Sequence, residues 1–138
     1  MTRRDALKPG LRQTATIRVG EQLAVPASGR LLGATIDMPP VFATASMIAF
    51  VEWTCVAALA PYIAPDQRTV GTRVEISHIA ATPIGMQVTA AVELVEIDER
   101  RLRFKVSCRD EAEPIGEGFH ERMIVDHDRF MARLARKR

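Results

Sequence analysis

Glu52 is the only charged residue between Val41 and Ala64. A carboxylate among apolar neighbours is too costly to keep ionised without a partner. It must hold a proton, open onto a polar cavity, or meet a cation. Thr44 and Ile48 precede it at intervals of four, which on a helix stacks a hydroxyl and a carboxylate along one face. His78 is the second unusual residue. It continues the alternating series of Val74 and Ile76, so its imidazole points inward from a strand. There it could meet Glu52, hold it charged, or exchange a proton with it. A single inward histidine is commonly a hydrogen-bonded core residue, and a single helical Glu commonly faces water at a rim. Only the two together, on facing apolar surfaces, argue for chemistry.

The remaining candidates are weaker. Gly71, beside a strand start, permits a bend or a close backbone approach. Gly116 and Gly118 share a strand face and let the helix come near or form a bulge. His120 and His127 with Asp126 and Asp128 resemble metal ligands only loosely, and their spacing matches no trustworthy site, so no metal is expected. Arg129, Arg133, Arg136, Lys137 and Arg138 beside Phe130 and Leu134 read as a solvated helix face, with contact to the phosphates of a cofactor as the alternative.

Positioning these residues requires a definite set of elements. Gln13 to Val19 alternates polar and apolar residues and predicts a strand. Gly29, Gly33, Pro39 and Pro40 mark an irregular segment. Thr44 is placed to cap a helix over Ala45 to Ala60, which Pro61 helps to end. That helix carries Met47, Ile48, Phe50, Val51, Trp53, Cys55, Val56 and Leu59. These cannot share one stripe, so the helix must be surrounded by other structure. Four strands follow: Val70 to Ala80, Val88 to Leu94, Leu102 to Cys108, and Ile115 to Val125. Turns are expected at Asp98 to Arg100 and Asp110 to Glu113, and a short basic helix over Arg129 to Arg136. Consecutive strands with short turns favour an antiparallel sheet. One five-stranded sheet curled round one apolar helix is an α+β architecture, the hot-dog fold.

Composition excludes several functions. The 138 residues fit one domain, 1–138, and carry a net charge of only +2. That is too little for a nucleic-acid partner, and 5% aromatics argue against a stacking platform for single strands. Val41 to Ala64 is long enough to span a membrane. A central acidic residue costs about 2.5–3.5 kcal/mol there, and Pro61 interrupts the stretch, so a buried helix and no membrane contact are expected. Cys55 and Cys108 form no CxxC, and no apolar signal core follows the N-terminus. A reduced, cytoplasmic protein is the simplest expectation.

The run Val41-Phe42-Ala43-Thr44, then Met47, Glu52-Trp53, Cys55 and Ala60-Pro61-Tyr62, resembles the fluoroacetyl-CoA thioesterase family of hot-dog proteins. The resemblance continues through Gly71-Thr72, Ser77-His78, Ala81-Thr82-Pro83, Ile115-Gly116 and His120-Glu121-Arg122. It implies a Thr, Glu and His catalytic set at Thr44, Glu52 and His78. It further implies a glycine beside the acyl group at Gly71, and a last-strand arginine at Arg122, with either a substrate or a structural ion-pair role. Thr35-Ile36-Asp37-Met38 departs from the family, whose fluoroacetate-handling member has aromatic residues there, so that specificity does not carry over. The expected activity is hydrolysis of a short-chain acyl-CoA thioester, with CoA as part of the substrate and no separate cofactor. Glu52 would act as nucleophile or as general base. The alternatives are an acyl-CoA hydratase or dehydratase, and a non-catalytic acyl-CoA-binding protein. An open sheet edge and an apolar flank argue for a homodimer, and His78 would serve its own chain or its neighbour's.

Overall fold

The computed structural model describes residues 2–138. Strand β1 (Arg12–Arg18) leads to a short helix α1 (Val25–Leu31) and the long helix α2 (Thr44–Leu59), which ends in a 3-10 turn over Ala60–Tyr62. Then come β2 (Gln67–Ile76), β3 (Gln87–Asp98), β4 (Arg101–Asp110), β5 (Pro114–Asp126) and α3 (His127–Ala135). The strands form one antiparallel sheet in the order β1-β3-β4-β5-β2. The hot-dog expectation holds.

The inward rows are those that alternation predicts. Val88, Ala90, Val92 and Leu94 of β3 and Leu102, Phe104, Val106 and Cys108 of β4 are all buried. They pack against a stripe of α2 made of Met47, Val51, Cys55, Ala58 and Leu59. The membrane-length segment is thus the core helix of a folded domain, although Thr44–Tyr62 is long and apolar enough to cross a bilayer.

Four local expectations are corrected. First, α2 is not enclosed. Its opposite face, with Ala45, Ala49, Trp53 and Ala57, is open, and Trp53 is 71% exposed. One sheet covers only one side of a helix, which leaves the remaining apolar positions of α2 open. Second, Thr44 does not cap α2. Ala43 occupies the cap position, and no side chain bonds the first turn. Third, the segment around Gly29 contains the α1 helix, whose start is set by Pro26 in its first turn. Its end and the following residues leave Leu31, Leu32 and Ile36 strongly exposed. Fourth, β2 stops at Ile76, so His78 lies beyond it. The amides of Ser77 and Ile79 still bond the carbonyls of Glu117 and Ile115, which keeps the chain extended past the strand end.

Candidate functional site

The start of α2 is strapped in place by backbone. The amide of Phe42 donates to the carbonyl of Thr82, that of Ala43 to Leu23, and that of Val25 to Val41. Thr82 is itself fixed, because its buried hydroxyl donates to Asp110 Oδ2 at 2.8 Å. Asp110 Oδ1 accepts from the amides of Ala112 and Glu113. Burial pushes the Asp110 carboxyl up, but these hydrogen bonds outweigh it and hold it below the ordinary 3.8.

Two polar clusters lie along the α2 face that borders its open side. The first is at the N-terminus. Thr44 Oγ1 lies 2.8 Å from His78 Nδ1, and the ring rests edge-on against Phe42. Nε2 of His78 is buried and has no hydrogen-bond partner among the described residues. The first-turn amides of Thr44, Ala45 and Ser46 lack intrahelical acceptors by helix geometry. A hydroxyl, an imidazole and a set of free N–H donors therefore meet at the positive end of the helix dipole.

The second cluster surrounds Glu52, eight residues or about 12 Å further along the axis. Inward residues of β5 alternate, which aims His120 and Arg122 at the helix. Arg122 Nη1 donates to Glu52 Oε2 at 3.2 Å and to His120 Nε2 at 3.2 Å. Its Nε donates to Thr69 Oγ1 and its Nη2 to the Thr69 carbonyl, each at 2.9 Å. His120 Nδ1 lies 2.8 Å from the carbonyl of Arg73. Gly71, paired with Arg122 across the ladder, leaves the room. A Cβ there would stand 2.6 Å from Glu52 Oε2 and 3.2 Å from His120 Cε1. A register shift between Gly71 and Arg73 bends β2 at this point.

The expected Glu52–His78 contact is not formed within the chain. The physical reason is axial distance: His78 sits at the first turn of α2, and Glu52 two turns on. Glu52 is only half-buried, and the cation it meets is Arg122. By sequence spacing His120 is only a loose metal-ligand candidate; in the structure it lies wholly buried at this centre. Its inward parity with Arg122 and Ile124 was the signal that could have found it. Among the described residues no cluster of three His, Cys, Asp or Glu side chains could hold a metal. A Cβ at Gly116 would run into the Ser77 carbonyl and lie 3.1 Å from Met47 Sδ of the helix, while Gly118 backs onto the Glu75 backbone.

Residues 29–128 match the model of the fluoroacetyl-CoA-specific thioesterase family. The chain belongs to that family. The fluoroacetyl-CoA thioesterase of Streptantibioticus cattleyicolor is 42% identical over 101 residues, which is 73% of each chain. A solved structure of fluoroacetyl-CoA thioesterase superposes with a TM-score of 0.92 at 36% identity, covering 97% of this chain and 99% of that one. A hot-dog-like protein from Thermanaerovibrio acidaminovorans shares the fold at 20% identity and a TM-score of 0.83, covering 99% and 97%. As a family member the chain is an acyl-CoA thioesterase, and thioester hydrolysis is the chemistry its two clusters have to serve.

Proposed function

We propose that the chain hydrolyses short-chain acyl-CoA thioesters with Thr44, Glu52 and His78 as its reacting set, and with Gly71 and Arg122 beside the acyl group. The reading is carried by the Thr44–His78 pair at an uncapped helix start. A thioester carbonyl gains negative charge as it is attacked, and unbonded helix amides are donors suited to that charge. Nε2 of His78, buried and without a partner among the described residues, is suited to hand a proton to the departing sulfur. Glu52 is held through Oε2 by Arg122, and its side chain remains 36% exposed. It therefore has a free edge with which to attack the carbonyl or take a proton from water. In the water route, water oxygen bonds to the carbonyl carbon, Glu52 takes the proton, the C–S bond breaks, and the thiolate is protonated. The products are a carboxylate and CoA. In the nucleophilic route a Glu52 oxygen bonds to the carbonyl carbon, the C–S bond breaks and the thiolate leaves with a proton; water then opens the mixed anhydride, which returns the Glu52 carboxylate and releases the acid.

Two copies pairing through the open α2 face and the free β2 edge would resolve the axial distance. Antiparallel α2 helices set the start of one beside the Glu52 region of the other. The exposed Trp53 and the edge position of β2 support a homodimer on these surfaces. The two free, buried cysteines suit a reducing cytoplasmic setting. Burial lifts their thiols to about 12 at Cys55 and about 11 at Cys108.

The test is thiol release over a panel of acyl-CoAs, followed by single turnover in heavy-oxygen water. Release of CoA from short acyl groups is expected. Label in the Glu52 carboxylate would select the nucleophilic route, and label only in the product the water route. Stabilisation by acyl-CoA with no thiol released would leave a binding protein instead, and hydration of an enoyl-CoA would make it a hydratase.

A further inference from the structure

His120 has no share in the reaction just described, yet its side chain is the most completely buried polar group at the centre, with 0% exposure. Its two partners fix its protonation. The Arg73 carbonyl at Nδ1 can only accept, so Nδ1 carries the proton. The Arg122 guanidinium at Nε2 can only donate, so Nε2 is bare. His120 is thereby a neutral imidazole in one tautomer, and a cation in its place would face Arg122 with no acceptor to offer.

We propose that His120 is a positioning residue: its Nε2 lone pair holds Nη1 of Arg122, and Arg122 in turn holds Glu52 in the orientation that hydrolysis needs. Nη1 has two protons, one for His120 and one for Glu52. Thr69 holds the Nε and Nη2 side of the guanidinium, so losing the first bond releases the Nη1 end alone, the end that aligns the Glu52 carboxylate. Glu52 lies 3.8 Å from His120 Nε2, too far for a good hydrogen bond, so the coupling runs through Arg122. The alternative of a purely structural histidine is countered by Gly71. The space it leaves is shared by Glu52, His120 and Arg122, which packs the three as one unit.

The charged and titratable groups around His120 come from three elements. Glu52 belongs to α2, as does Cys55, which senses both Glu52 and Arg122. Arg122 and Glu121 lie on β5, and β2 contributes the Arg73 carbonyl. Phe104, its cross-strand neighbour on β4, is apolar. Burial is the largest influence and pushes the imidazole below its ordinary 6.5. Arg122 adds to this, while the Arg73 carbonyl, Glu52 and Glu121 oppose it.

This inference rests on the thioesterase reading, and two isosteric halves of histidine test it. His120→Asn retains a donor near Nδ1 for the Arg73 carbonyl but loses the acceptor for Arg122. His120→Gln places an amide oxygen near Nε2 and cannot titrate. The expected result is that His120→Asn folds but loses about tenfold or more in kcat, and that His120→Gln stays within a few-fold of native with a simpler acid limb in its pH–rate profile. Nitrogen NMR, which needs no turnover, should show the neutral Nδ1–H tautomer in the native protein. The Arg122 Nη1 protons, which bond His120 Nε2, should be protected from exchange in native and His120→Gln protein and less protected in His120→Asn. Equal kinetics in both variants and an unchanged Arg122 signal would overturn the proposal. An enzyme with no thioesterase activity that still shows the Arg122 signal pattern would overturn the functional reading alone.

Discussion

The Glu52 carboxylate lies 3.2 Å from Nη1 of Arg122, across the space left by the missing side chain of Gly71. The only charge on an apolar helix thus finds its counter-ion on the last strand, 70 residues later. That pairing makes it possible to disturb the acid without touching it.

Gly71→Ala should do so. The new methyl would stand 2.6 Å from Glu52 Oε2, and the displaced atom is the end of a flexible side chain. The fold should survive with little change in melting temperature, while kcat falls about a hundredfold, as an ångström of misplacement typically produces. Native turnover in this variant would show that the Glu52 position is immaterial.

Thr44 separates a cap from a reacting group. Capping residues contribute about 0.5–2 kcal/mol to stability, but the Thr44 hydroxyl bonds His78 and no helix amide. Thr44→Val should therefore leave denaturant stability nearly intact and lower kcat about tenfold or more, about 1.4 kcal/mol of barrier. Thr44→Ser should recover much of the rate. A large stability loss with unchanged kcat would return Thr44 to a structural role.

Acid should destabilise the fold through two groups. His120 is depressed in the folded state, so the unfolded chain takes up the proton first. Stability then falls as pH drops below about 6.5 and levels off below the folded value. Asp110 is also depressed. As a carboxylate it contributes fully above 3.8, and that contribution is lost as pH falls through the folded value. Urea unfolding from pH 3 to pH 7 should show the first decline vanish in His120→Gln and the second shrink in Asp110→Asn. The latter variant should cost about 1–3 kcal/mol at neutral pH.

The open face of α2 predicts an assembly defect. Trp53 is 71% exposed and makes no part of the protomer core. Trp53→Glu should retain native circular dichroism but sediment as a monomer, with thiol release reduced about tenfold or more. A fully active dimer carrying this substitution would place the interface elsewhere.

Much of the fold was legible along the chain. Alternation in Leu102, Phe104, Val106 and Cys108 assigns a strand and its inward face from period alone, and turn residues set the hairpins. The isolation of Glu52 in an apolar helix marked it as needing a partner, because burial of an unpaired charge is costly wherever the partner lies. Local sequence determines period, parity and the need for compensation. It could not say that the partner was Arg122, that His78 would turn to Thr44, or that His120 would join the centre. Those pairings depend on the β2–β5 register, on the shift between Gly71 and Arg73, and on where each strand ends against the axis of α2. They are set by long-range ladder bonds between residues far apart in the chain, and only the tertiary structure fixes which two side chains arrive at the same point.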